Sequence, residues 1–222
     1  MTMKILALTT LLAGLLTLPA LADTPAGWHA LIVGDSLAGW VDGDGKAVSP
    51  GTWKVADGVL HLTGKGGGNL YSAKKYGDFE LIFEWKIAPG GNSGVKYRMA
   101  KVDGRGMLGP EYQVLDDGGK SAGKGSTASL YDLVAPDPAG KDPNPVGKWN
   151  RSRVVVKGSH IRHFLNGRKV VDITVGTAAW KAAVAKSKFA NLAGFAANPK
   201  GPIMLQDHGS MVWFRAIRIR EL

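Results

Sequence analysis

The sequence predicts an all-β fold, a sandwich of short antiparallel strands in a single domain. Three observations predict it. The dipeptides Asp57-Gly58 and Asn166-Gly167 each lie between strand-like runs, the strongest short-range hairpin signal. The run Asp78–Ala88 puts Phe79, Leu81, Phe83, Trp85 and Ile87 on one face and Glu80, Ile82, Glu84 and Lys86 on the other, because strand side chains alternate. The 31 Gly, 11 Pro and 7 Trp among 222 residues supply turns and aromatic anchors for many strands.

Taken in order, residues 1–22 read as a signal peptide. Lys4 is its positive start, Ile5–Leu18 is an apolar run too short to span a bilayer comfortably, and Ala20-Leu21-Ala22 fits a cleavage site. The domain is then 23–222, periplasmic or secreted, with no integral membrane anchor. There is no Cys, hence no disulfide and no attachment through an N-terminal Cys. The formal charge is +10, but the basic residues are scattered, without the tract or aromatic interleaving of a nucleic-acid module. Charge of this kind serves solubility.

Trp28–Val33 is a first short strand. Asp42-Gly43-Asp44-Gly45 opens like a calcium loop but lacks the spaced third ligand and distal Glu, so it reads as a polar turn. Trp53–Leu62 is a hairpin about Asp57-Gly58. Gly64–Gly68 is a flexible loop without the Lys-Ser/Thr ending of a phosphate loop. After the Asp78–Ala88 strand come two short runs, Gly90–Arg98 and Gly109–Asp116. Gly94, Lys96 and Arg98 share one face of the first; Glu111 and Gln113 share one face of the second. If these strands pair with their predecessor, Glu84 lies beside them. Residues 117–147 are loop-rich and read as a rim or lid, interrupted by the extended piece Ser129–Leu133. Trp149–Val171 is a second hairpin region, Ala178–Lys188 a short Ala-rich helix, and Met211–Ile219 the last strand.

A core strand has no need of Lys, Arg, Glu and Gln together, whereas a ligand groove floored by a sheet does. Alternation alone fits solvated outer faces; the stretch Leu205-Gln206-Asp207-His208-Gly209 moves the balance toward a site. The candidates are Glu84, Lys96, Arg98, Glu111, Gln113, Asp116, Tyr131, Asn166, Gln206, Asp207 and His208. Metal signals are weak: there is no His-x-His and no His-Glu-x-x-His, and Asp116-Asp117 before two glycines reads as a turn. No Gly-x-Ser-x-Gly elbow is present. The paired carboxylates of a retaining sandwich glycosidase, spaced on one strand, are also missing, although Glu84 and Glu111 would be the natural pair.

The stretches Gly90–Arg98, Gly109–Asp117, Ser129–Leu133, Gly147–Asn150, Leu165–Val171 and Leu205–Gly209 resemble, in order, the DUF1080 or 3-keto-disaccharide hydrolase domain family. The resemblance runs from about Trp28 to Leu222; Ala196–Lys200 departs from it, which bears on loop shape. It implies a concanavalin A-like jelly-roll sandwich acting on glycosides oxidised at C3. Such a ketone acidifies the C2 hydrogen, so a base can remove it, the enolate can expel the C1 substituent, and water can add to the enone. This chemistry needs one base, donors for the enolate oxygen and an acid for the leaving group, and no pair of flanking carboxylates.

The roles expected here are His208 as base, oriented by Asp207, with Glu111 as the alternative base. Lys96 and Arg98 stabilise the oxyanion. Glu84, Gln113, Asp116, Asn166 and Gln206 bind hydroxyls, and Tyr131 stacks on the sugar or acts as acid. No cofactor is called for by the sequence; a divalent cation polarising the ketone is compatible with it. The rival expectation is a non-catalytic, lectin-like carbohydrate-binding module, and a remoter one a structural envelope protein. The sequence leaves oligomeric state open.

Overall fold

Period-two alternation sorts most of the chain into two stacked sheets, seen in a computed structural model that describes residues 26–49, 51–64, 66–102 and 105–222. The expected signal peptide lies outside the described residues. In chain order the strands are β1 (His29–Ala30), β2 (Trp40–Val41), β3 (Trp53–Ala56), β4 (Val59–Leu62), β5 (Leu70–Tyr76), β6 (Phe79–Ile87), β7 (Asn92–Lys96) and β8 (Ala100–Val102). Then come β9 (Gly106–Leu108), β10 (Glu111–Leu115), β11 (Asn150–Lys157), β12 (His160–Leu165), β13 (Arg168–Thr174), β14 (Gly201–Leu205) and β15 (Val212–Glu221). The helix α1 (Ala178–Ala185) stands between β13 and β14.

One sheet has the order β13-β12-β11-β6-β15-β4-β3, with β1 also pairing to β15; the other has the order β10-β7-β14-β5-β2. This is the jelly-roll sandwich that the sequence predicts. Asp57 and Gly58 both take positive φ (53° and 70°), as do Asn166 and Gly167 (47° and 86°), so both dipeptides form the tight hairpin turns expected of them. β11 and β12 are joined by a further hairpin through Gly158-Ser159.

Phe79, Leu81, Phe83 and Trp85 point inward from β6 and are buried against Val95, Tyr112, Val114, Ile203 and Leu205 of the smaller sheet. Removing each such side chain from water contributes roughly 1.5–3 kcal/mol. Between the sheets runs a chain of polar groups: Trp85 Nε1 donates to Ser152 Oγ at 2.8 Å and Ser152 Oγ to the Tyr112 hydroxyl at 2.7 Å. Nearby, His163 Nε2 meets the Tyr97 hydroxyl at 2.8 Å and its Nδ1 meets the Ala128 carbonyl at 3.2 Å. With Nδ1–H donating to that carbonyl, Nε2 accepts from Tyr97.

The structure corrects several boundaries. The first strand is only His29–Ala30, the helix stops at Ala185, and the last strand extends to Glu221. A bulge between Arg215 and Arg218, with Ala216 at φ 49°, keeps Arg215, Arg218 and Arg220 all on the outer face of the larger sheet. The expected neighbourhood of Glu84 and the 90–116 runs is also overturned. The chain crosses from one sheet to the other between β6 and β7, so Glu84 lies on the far side of the sandwich.

Candidate active site

On the smaller sheet, β7 and β10 are antiparallel neighbours with Lys96 opposite Glu111 and Gly94 opposite Gln113. Ser93 and Val95 turn to the core, so Asn92, Gly94 and Lys96 face out; Tyr112 and Val114 turn in, so Glu111 and Gln113 face out. β14 runs along the other side of β7 and brings Gln206 in beside Gly94, whose carbonyl accepts from Gln206 N at 2.9 Å. Residues 128–131 lie against the free edge of β10, with Tyr131 N donating to Glu111 O at 3.0 Å. These placements make a small polar cleft of about 80 Å³ lined by Asn92, Lys96, Glu111, Gln113, Tyr131, Lys188, Gln206 and His208.

Glu111 is the centre of the cleft. Its carboxylate lies flat on the sheet, 3.4 Å from Lys96 Nζ, and is almost fully buried. Gly94 makes the room: a Cβ there would fall 2.2 Å from Glu111 Oε1. Burial pushes the Glu111 carboxyl above its ordinary 4.5, opposed in part by the charges of Lys96, Lys188 and His208. Beside it, Gln113 Nε2 donates to Asn92 Oδ1 at 3.1 Å. His208 stands exposed at the rim. Across from it, Lys188 Nζ sits 4.2 Å above the Tyr131 ring.

Thus Lys96, Glu111, Gln113, Tyr131, Gln206 and His208 line one cleft, and five other expected site residues do not line it. Arg98 is not in the cleft. The strand ends at Lys96, Arg98 takes φ 46°, and its side chain is buried elsewhere, donating to Gly77 O, Gly158 O and Asp78 Oδ1. Asp207 does not orient the His208 ring. Its carboxylate accepts from the amides of Gly67, Gly68 and Gly209, so it fixes His208 only by anchoring the loop. Asp116 accepts from the Gly90 and Gly118 amides and caps a turn. Asn166 accepts from Arg151 N and donates to Asp142 O and Asn150 Oδ1, bracing its hairpin. Glu84 accepts from Arg215 at 2.7 Å on the opposite sheet.

Sequence reasoning missed Asn92 and Lys188. Asn92 was legible, since it shares the outward parity of Gly94 and Lys96. Lys188 follows α1 in a loop with no periodicity; its amide donates to Asp132 Oδ2, which ties that loop to the 117–147 rim. Among the described residues, no group of three or more His, Asp and Glu side chains converges as a metal-ligand set. No helix among them is long and apolar enough to cross a membrane.

Residues 27–220 match the family described as 3-keto-alpha-glucoside-1,2-lyase-like domains. A relative from Bacteroides thetaiotaomicron, named 3-keto-disaccharide hydrolase, is 34% identical over 93% of this chain and 81% of its own length. Two crystal structures from Parabacteroides distasonis, both provisionally assigned as glycosyl hydrolases, are similar in fold. The first is 28% identical with a TM-score of 0.76, over 88% of this chain and 94% of that one. The second is 25% identical with a TM-score of 0.65, over 88% and 99%. The cleft geometry and the match across nearly all the described chain lead to one statement of kinship: this protein belongs to the 3-keto-alpha-glucoside-1,2-lyase-like domain family.

Proposed function

We propose that the protein cleaves the glycosidic bond of 3-keto-glycosides by removing the C2 proton and eliminating the C1 substituent. The observation that carries this reading is the buried Glu111 carboxylate, raised in pKa and held beside an ammonium in a cleft that also presents an imidazole. The name of the Bacteroides relative supports the substrate class. Glu111 takes the C2 proton. The electron pair passes into the C3 carbonyl, where the Lys96 ammonium stabilises the enolate oxygen. As the enolate reforms the ketone, the C1–O bond breaks, C1=C2 forms, and His208 gives a proton to the departing oxygen. Water adding to the enone completes net hydrolysis. Gln113, Gln206 and Asn92 bind hydroxyls, and Tyr131, braced by Lys188, lies against the sugar. The apolar run Ile5–Leu18, followed by the Ala20-Leu21-Ala22 cleavage pattern, supports export to the periplasm.

The test compares 4-nitrophenyl and alkyl 3-keto-glucosides with their unoxidised parents. Glu111→Gln should lose about 10²–10⁴-fold on both oxidised substrates, as loss of a general base does. His208→Ala should lose comparably on the alkyl glycoside and far less on the nitrophenyl one, whose leaving group needs no proton. Equal large losses for His208→Ala on both substrates, with a mild Glu111→Gln effect, would move the base to His208. Wild-type turnover of the unoxidised sugars at the same rate would defeat the elimination. Sugar binding without turnover would favour the lectin-like module. The acid limb of the rate profile should lie above pH 4.5, because the basic form of Glu111 is lost as pH falls through its raised pKa.

A further inference from the structure

We propose that the outer face of the eight-stranded sheet, on the far side of the sandwich from the cleft, is a binding surface for a uronate-bearing polysaccharide. This inference does not depend on the elimination chemistry. On that face the strand registers set basic side chains in rows: Trp213 stands opposite Lys86, Arg151 and Arg215 flank Glu84, and Arg153 and Arg218 flank Ile82. Only some of these cations are matched. Glu80 takes Arg153 and Arg220, and Glu84 takes Arg215. Among the described residues Lys86, Arg151, Arg162 and Arg218 have no carboxylate partner, and the Arg162 Nε is buried without any partner. Two of them, Arg151 and Arg218, line shallow grooves: one of about 400 Å³ holds both, and a second of about 450 Å³ shares Ile82 and Arg151 with it. Arg151 and Arg218 flank β6, so their backbones are two strand spacings apart, roughly 10 Å.

The aromatic residues here narrow the ligand class. Arg215 lies 4.1 Å over the Trp149 ring, Lys86 lies between Trp149 (5.2 Å) and Trp213 (4.8 Å), and His61 stacks on Trp213 at 4.5 Å. In the grooves themselves Arg220 lies 5.0 Å over the Trp28 ring and Arg153 3.7 Å over the Phe164 ring, so every one of these rings already carries a cation, whereas bases of a single-stranded nucleic acid need ring faces to stack on. What the rings do is hold cations in place, which favours fixed anions along an extended polymer. Charge complementarity with a polysaccharide carrying one carboxylate per sugar fits both the grooves and the unmatched guanidinium groups.

The experiment measures retention of the mature protein on immobilised polygalacturonate, with dextran, dextran sulfate, duplex DNA and anionic phospholipid vesicles as parallel probes. We expect binding to polygalacturonate that weakens with salt, is absent on dextran, and falls about tenfold or more in Arg151→Glu/Arg218→Glu. The single exposed substitution Arg151→Gln should weaken it measurably with the melting temperature unchanged, and Glu111→Gln should leave it intact. No retention, equal retention on dextran, retention unaffected by the arginine changes, or tighter binding to dextran sulfate, DNA or vesicles would each overturn the proposal. Turnover of a small 3-keto-glucoside is scored separately, so failure of the elimination reading leaves the binding result standing.

Discussion

Gly94 is small because Glu111 must lie where its side chain would be. The Glu111 Cδ and Cγ would sit 3.0 and 3.1 Å from a Cβ built on Gly94, and Oε1 only 2.2 Å. Gly94 is an ordinary strand residue without positive φ, so the constraint is space alone. Gly94→Ala should therefore fold and yet displace the carboxylate. A misplacement of about 1 Å at a reacting group costs on the order of 10²-fold in rate, and that is the kcat loss expected on a 3-keto-glucoside. The substitution should add little in a Glu111→Gln background, because both act through one group. Independent, additive losses would show that Gly94 serves something other than the carboxylate.

At the scale of elements, Arg98 belongs to the junctions. Its guanidinium joins the β5–β6 turn, through Gly77 O and Asp78, to the β11–β12 turn at Gly158, whose amide also donates to Asp78 Oδ1. Arg98→Ala should cost about 1.5–3 kcal/mol of stability, the range of hydrogen bonds to charged groups. It should leave kcat on a 3-keto-glucoside nearly unchanged. A large kcat loss with full stability would return Arg98 to the cleft. The same residue shows what the sequence could reveal. Alternation places Lys96, Glu111 and Gln113 on one face because β7 and β10 are regular there. It misplaces Arg98 because nothing local announces that the strand stops two residues earlier. Glu84 was misplaced for a different reason: adjacent strands in sequence usually pair, and here the chain changes sheets between them. Asp207 looked like a partner for His208 by adjacency, but three backbone amides claim it. The hairpins and the inward face of β6 were legible because turn chemistry and periodicity are local. Lys188 was not, since only the docking of the 117–147 rim on the segment after α1 brings it to the cleft.

At the scale of the whole molecule, the buried imidazole of His163 between the sheets bears on acid stability. His163 is wholly buried, and that burial lowers its pKa from 6.5 to about 4. An unfolded chain takes up a proton below pH 6.5 that the folded chain refuses until about pH 4. Stability should therefore fall as pH drops through this window, by about 3 kcal/mol in total, and the slope from this residue should vanish below it. Asp117, held below 3.8 by Lys141 and the Thr127 amide despite its burial, acts at lower pH; His61, lowered by burial, adds to the slope and Glu111, raised by burial, opposes it, so the part due to His163 is read as the difference between wild type and variant. Urea midpoints measured from pH 7 to 4 should show the slope in the wild type and a flatter dependence in His163→Phe, whatever that variant's absolute stability. An unchanged slope in the variant would assign the acid sensitivity elsewhere.

The position of β15 has a consequence for how the chain comes to be folded. β4 with β3, and β1, join the eight-stranded sheet only through β15, which also covers one edge of β6. Residues 212–221 are thus the keystone of the sheet, and a ribosome makes them after every strand they join. Until they emerge, β6 has a bare edge and the β3–β4 hairpin has no sheet to enter. The smaller sheet and the β13-β12-β11-β6 half of the larger one contain no residue of β15, whereas docking β15 on β4 and β6 closes loops of more than a hundred residues. Such non-local closure is slow, on the order of milliseconds to seconds, so the β1 and β3–β4 side of the larger sheet is the last part of the sandwich to be sealed.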